Sequence, residues 1–472
     1  MILKRLRSIF LLVFFIGGCF PQEYTPSYDK VPLDHEGEVL VYLQPLPQEA
    51  AKLRFIMGGM FALRDDGSKI PLSLSFNQLN GSQLLGRQRL LAKGILPPGA
   101  YTALSIKTDK ASVQSEEGEV ALLVPEEPVT AAKLFQVNRG QAITLFLSLN
   151  ASGIIKGGVS FSPDFSLATS KGLLINLTGY VSNSFADIIS VFDKKTMEVV
   201  NVIATGRGPK GIVLDQRRTR AYVALSGDDA VEIFDVFNGM TVGRIKLNFG
   251  DNPIELALTP DGRTLVSVNY SSNTVSLIDT FSKSEFRRVK VGEGPTSAVV
   301  GPSGFKVYIM NSRSNTISVV DLTQRTLSAT ISIEGSPLRG AFNRAGDKLY
   351  VISRDSPQLF VIDPSSLKVM QRIFVGTGSV SIKISFLTDL IFVGKRFGGE
   401  IAVVDPSTSM LIDSITIGGD AAYLNIDRQE NTLFVVLPER RLVQKVNLTS
   451  KKNMAEIEVG EEAYAVVVMG ES

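Results

Sequence analysis

From about residue 171 to the C terminus, short runs in which apolar and polar residues alternate recur at a fixed interval. Six copies contain an apolar pair followed by Asp, and a seventh, ending in Lys-Val-Asn, continues the series. The copies are Ser190-Val191-Phe192-Asp193, Glu232-Ile233-Phe234-Asp235, Ser276-Leu277-Ile278-Asp279, Ser318-Val319-Val320-Asp321, Phe360-Val361-Ile362-Asp363, Ala402-Val403-Val404-Asp405 and Gln444-Lys445-Val446-Asn447. Their last residues lie 42, 44, 42, 42, 42 and 42 positions apart. Seven copies at such a period specify a solenoid, a propeller or a similar array. Within the third copy the pattern predicts strands over Ile254 to Leu258, Thr264 to Val268, Thr274 to Ile278 and Glu285 to Val291. The turn Pro260-Asp261-Gly262-Arg263 and the loop Asn269 to Asn273 separate the first three. Period-two alternation bounded by turn residues is a strand signal, and four strands per period make a propeller blade. The expected second half is therefore a seven-bladed β-propeller over residues 171–472.

The copy count also predicts how the ring closes. The first copy begins near Leu173 with material matching a second strand, and the chain ends in Ala463-Tyr464-Ala465-Val466-Val467-Val468-Met469, which matches a first strand. The tail is expected to complete blade one and so remove an exposed sheet edge. Asp193, Asp235, Asp279, Asp321, Asp363, Asp405 and Asn447 recur once per blade before a turn, which suits side-chain acceptors for backbone N–H groups two residues on.

Between residues 37 and 165 the alternation changes to longer, less regular runs. Strands are predicted over Val39 to Leu43, Leu53 to Leu63, Ile70 to Leu74, Arg89 to Leu91, Tyr101 to Lys107, Val120 to Val124, Lys133 to Val137 and Ala142 to Leu149. Seven or eight short strands with turns such as Asp65-Asp66-Gly67 and Pro97-Pro98-Gly99 argue for a β-sandwich, making the whole chain all-β. Asp65-Asp66-Gly67 reads as a hairpin turn and not as a calcium loop.

Several motifs carry resemblances. Pro260-Asp261-Gly262-Arg263, Val307-Tyr308-Ile309-Met310-Asn311, Ser314-Asn315-Thr316-Ile317-Ser318-Val319-Val320-Asp321 and Val291-Gly292-Glu293-Gly294-Pro295 resemble the YVTN-type β-propeller family. That resemblance implies a rigid scaffold with varied ligands. Leu96-Pro97-Pro98-Gly99-Ala100-Tyr101-Thr102 is similar to a signature of prealbumin-like sandwich domains in bacterial envelope proteins.

The N terminus reads as an export signal: Lys4, Arg5 and Arg7 precede the apolar run Ile9 to Ile16. This run is shorter than the roughly 20 residues a membrane-spanning helix needs, so residues 1–18 read as a signal peptide. Ile16-Gly17-Gly18-Cys19 resembles the lipobox of bacterial lipoproteins, which implies that Cys19 is acylated as the mature N terminus. Residues 19–36, with Pro21, Pro26 and Pro32, then form an extended tether containing His35. Phe20 and Pro21 lack the aspartate that retains some lipoproteins at an inner membrane, so the resemblance implies an exported lipoprotein of the cell envelope at the outer membrane.

Composition narrows the chemistry. One His and one Cys exclude intramolecular disulfides, thiolate zinc sites and mechanisms needing two imidazoles. Lys plus Arg is 49 and Asp plus Glu is 47, so no global charge excess points to nucleic acid. No catalytic residue, metal site or cofactor is assigned from the sequence. On the loops around one propeller face, Arg207, Lys210, Arg313, Arg339, Arg354, Lys395, Arg396, Arg440 and Arg441 are candidates for binding an anionic partner. Asp228, Asp229, Asp251, Glu293, Asp355, Asp420 and Glu439 lie among them. The leading reading is a non-enzymatic, lipid-anchored scaffold for a protein or polymer partner. The alternatives are a propeller enzyme, lactonase-like or a carboxylate-based glycosidase, and a binder of nucleic acid or another anionic polymer.

Overall fold

The computed structural model describes residues 35–150, 153–170, 177–217 and 219–470. The signal segment, Cys19 and the tether up to residue 34 lie outside the described residues. Seven four-stranded antiparallel sheets follow one another along the second half of the chain. Blade one is built from Thr178–Asn183, Ile188–Asp193, Glu198–Ala204 and, as its innermost strand, the C-terminal Ala463–Val468. Gly179 pairs with Val468 and Val181 with Val466, so the first and last blades are one sheet. The chain is all-β, with a seven-bladed propeller closed by its own tail.

The strand pattern follows from the sequence. In the second strand of each blade, runs such as Leu265-Val266-Ser267-Val268 are buried on both faces, because neighbouring blades pack on either side. The outermost strands are mostly exposed, as in Met410–Thr416. The recurring aspartates close the turn into that outer strand. Asp193 Oδ1 accepts the N–H groups of Lys195 and Thr196 at 2.7 and 3.1 Å. Asp321 does the same for Thr323 and Gln324 at 2.8 and 2.7 Å, and Asn447 for Thr449 and Ser450 at 2.9 and 2.8 Å. The hydroxyls of Ser365 and Ser366 join in at Asp363 and bring its carboxyl down to about 2.

The N-terminal domain is a β domain with a single hydrophobic core. Eight of its strands form one hydrogen-bonded path, from Asp164–Thr169 through Ala142–Asn150, Gly37–Leu43, Arg89–Leu96, Lys69–Leu74 and Leu53–Arg64 to Gly99–Ser115 and Gly118–Leu122, with Val129–Val137 also paired to Gly99–Ser115 off this path. Three features go beyond the sequence expectation. Gly99–Ser115 is 17 residues long, Gln78–Asn80 adds a short strand, and Asp164–Thr169 carries the domain beyond residue 165.

This domain packs on the outer rim of the joint between blades seven and one. Leu40 and Tyr42 enter a cluster with Phe192, Val199, Phe434 and Ile457. The Gln88 side chain acts as a short substitute strand on the open edge of blade one: its amide donates to the Val199 carbonyl at 3.1 Å and its oxygen accepts the Val199 N–H at 2.7 Å. Arg89 pairs with Glu458, and Lys93 lies 3.8 Å from Glu461.

Candidate functional site: the channel and the crossing face

The innermost strands of the blades run along the central channel. At one repeat position along them, taken around the ring, stand Gly211, Glu255, Ser297, Arg339, Ser381, Tyr423 and Ala465. Small residues dominate, so the long side chains of Glu255, Arg339 and Tyr423 have room to fill the bore. Arg339 Nη1 lies 2.5 Å from Glu255 Oε2, linking blades three and five across the channel. Gly211 admits this arrangement, since a Cβ there would sit 2.6 Å from both the Cα and Oε1 of Glu255. The Arg339 guanidinium also lies 4.6 Å from the centroid of the Tyr423 ring. Burial works against its charge, but Glu255 and the two tyrosines Tyr464 and Tyr423 outweigh it, and the guanidinium stays protonated. Burial and then Glu255 push the Tyr464 phenol up to about 12. Lys210 lies 5.8 Å over the Tyr464 ring.

Around this plug the channel keeps a cavity of about 420 Å³ lined in part by Ser297, Ser381, Lys383 and Asn425. The two serines stitch neighbouring inner strands: Ser297 donates to the Leu338 carbonyl at 2.7 Å and Ser381 to the Ala421 carbonyl. Among the described residues no group of three His, Cys, Asp or Glu side chains is placed to hold a metal ion.

The face formed by the blade-to-blade crossings and the loops from second to third strand is the one on which the sequence placed nine basic residues. The structure separates them. Lys210 and Arg339 are not on loops but on the inner strands Pro209–Asp215 and Pro337–Phe342, where Arg339 fills the channel and Lys210 lies over the Tyr464 ring. Lys395 ends the strand Ile391–Lys395 and is buried, donating to the Gly376 carbonyl at 2.8 Å and to Ser379 Oγ at 2.9 Å. It stands where Asn183, Asn269 and Asn311 bond Ser190, Ser276 and Ser318, and burial brings its ammonium down to about 8. The other six lie on loops. Arg207 is 2.7 Å from Asp228, Arg441 is 3.2 Å from Glu461, and Arg440 is 4.0 Å from Glu456. Arg313 stacks over Tyr270 at 5.0 Å. Arg396 is 3.9 Å from Asp420, and Arg313, Arg354, Arg396, Arg440 and Arg441 are all exposed. Crossing-loop acids beyond the expected set, Glu334, Glu461 and Glu462, lie among these arginines, and over the whole face acidic loop residues outnumber basic ones.

Sequence reasoning did not single out Glu255, Tyr423 or Tyr464. A signal was present for two of them: Glu255 and Tyr423 break a column of small residues at a fixed position of the repeat. A second missed feature is Phe249. The one 44-residue interval places its two extra residues in the crossing between blades two and three, around Asn248–Asn252. Asp229 accepts the N–H groups of Gly250 and Asn252 at 2.8 and 2.7 Å, and Asp251 accepts that of Asn248 at 2.8 Å. Arg288 in turn holds Asp251 at 2.6 Å. On this braced loop Phe249 is fully exposed, beside a cleft of about 340 Å³ lined by Arg207, Asp228, Arg244 and Lys246.

With this geometry in hand, similarity to solved structures bears on the fold. A functionally unknown protein from Desulfotomaculum acetoxidans superposes with a TM-score of 0.56 at 13% identity, over 62% of this chain and 99% of that one. A proposed 6-phosphogluconolactonase from Bacteroides fragilis gives 0.52 at 14%, over 61% and 97%. Dihydro-heme d1 dehydrogenase NirN gives 0.50 at 15%, over 64% and 77%. At these identities the likeness defines the class, a seven-bladed β-propeller protein. No family model and no curated protein sequence matches the chain.

Proposed function

We propose that this chain is a lipid-anchored protein of the cell envelope whose propeller holds a protein or polymer partner through its crossing face. The observation that carries the reading is Phe249: the only departure from the repeat length builds an exposed aromatic side chain on a loop whose backbone is already fixed. Large aromatic side chains dominate binding interfaces, and pre-ordering removes part of the entropic cost of association. The channel supports the same reading, because its charged groups satisfy one another across the bore. The lipid anchor is inferred from Cys19 and the residues before it, and the outer membrane from Phe20 and Pro21.

Affinity capture from native envelopes tests the reading. Phe249→Ala is expected to weaken retention of the partner at least about tenfold while leaving the melting curve unchanged. A second reading, a lactonase-like enzyme, draws on the phosphogluconolactonase-like neighbour and on the buried Glu255. Turnover of lactones or glycosides that Glu255→Gln abolishes would establish it in place of the scaffold.

A further inference from the structure

The opposite face of the propeller consists of the turns from first to second strand and from third to fourth. Its tips carry exposed apolar side chains on separate blades: Phe237 and Phe281 on blades two and three, Phe305 on blade four and Leu387 on blade six. Phe237 and Phe281 are held in place, since their N–H groups bond Asp235 and Asp279 at 2.8 and 3.0 Å. Both occupy the second position after the aspartate, where the other blades have Lys195, Thr323, Ser365, Ser407 and Thr449. The inner turns form a continuous ring: Gly304 lies against Pro260, Gly346 against Pro302, and Arg344 and Arg428 stack over Phe386 at 5.7 and 3.9 Å. Setting aside the strand-end aspartates, basic residues outnumber acidic ones on these turns, the reverse of the crossing face, and Lys195, Lys348 and Lys452 are exposed there. The strand-end aspartates on this side direct their oxygens to backbone N–H groups.

We propose that this face docks on an anionic lipid surface. Single apolar tips spread around a ring, with exposed Lys195, Lys348 and Lys452 on other turns of the same face, fit a plane; a pocketed partner would instead require one contiguous apolar patch. The apolar tips enter the acyl boundary while the basic side chains meet lipid phosphates. This contact is independent of the acyl chain inferred at Cys19, and it completes the two-signal attachment that stable membrane association requires. It leaves the crossing face directed away from the bilayer.

The test uses the full chain carrying Cys19→Ser, so that acylation plays no part, in sedimentation with vesicles of phosphatidylcholine alone or mixed with phosphatidylglycerol. Retention on the phosphatidylglycerol vesicles, lost at high salt, is expected. Phe281→Ser with Phe305→Ser should weaken it at least about tenfold, and Lys195→Glu with Lys348→Glu should do so with the melting curve unchanged. Absence of retention by the Cys19→Ser chain, or equal retention by all variants, overturns the proposal. Neither outcome bears on the anchor, which is read separately by fatty-acid labelling of the unaltered chain.

Discussion

Lys194 Nζ lies 2.6 Å from Asp427 Oδ2, and both side chains are almost completely buried although 233 residues separate them. Lys194 follows the capping aspartate of blade one, and Asp427 ends the inner strand of blade seven. The same ammonium donates to the Met469 carbonyl at 2.5 Å, just past the closing strand. Lys445 donates to the Lys194 carbonyl at 2.7 Å and pairs with Glu430 at 2.6 Å. In the other blades the residue after the cap is Val236, Thr280, Leu322, Pro364, Pro406 or Leu448, so this buried charge marks the closing joint.

Removing one partner leaves the other charge buried. Lys194→Met or Asp427→Leu alone should cost about 3–5 kcal/mol, and the double variant much less than the sum of the two. Denaturant unfolding of the three variants measures this. Additive costs would mean that the pair is not coupled.

Deleting residues 463–472 removes the inner strand of blade one, with Ala463, Ala465, Val466 and Val468 buried in it. Burial of each larger side chain contributes about 1.5–3 kcal/mol, and whole domains are stable by only about 5–15 kcal/mol. The truncated chain should lose its cooperative melting transition. An unchanged curve would show that the tail does not close the ring.

Lys395 gives a pH signature. With its folded value near 8 and the unfolded lysine near 10.5, the unfolded chain binds more protons between these limits. Stability should therefore rise with pH across that window, whereas buried tyrosines such as Tyr464 erode it above about pH 10, where the unfolded phenols ionise. Between pH 8 and 10 the gain should be of order 2 kcal/mol. Lys395→Met should abolish it in a pH series of melting curves, and the same rise in the variant would assign it to another group.

The anchor has a direct readout. The unaltered chain should take up labelled fatty acid and partition with membranes, and Cys19→Ser should abolish the labelling. A soluble, unlabelled product of the unaltered chain would remove the acyl chain from the account.

Much of the architecture was legible because it is periodic. The spacing of Asp193, Asp235 and their successors gave blade number and strand order, and the unmatched Ala463 to Met469 gave the mode of closure. The site was less legible because loop and strand ends differ by one or two residues from what turn signals show. Arg339, two residues after Pro337, looks like a loop residue yet faces the bore from a strand. Lys395 ends a strand where three other blades have a buried asparagine. Long-range partners such as Gln88 with Val199, or Glu255 with Arg339, depend on which blades and domains meet. The extra residues beside Phe249 were visible as the one irregular interval, but their consequence needed the hydrogen bonds of Asp229.

The most direct test of a partner-holding crossing face is site-specific photocrosslinking in native envelopes. A photoreactive amino acid is placed at position 249 and, as a control on the opposite face, at position 452. The account predicts one discrete protein or polymer adduct from position 249 that is absent from position 452. No adduct from position 249, or the same adducts from both positions, would contradict it.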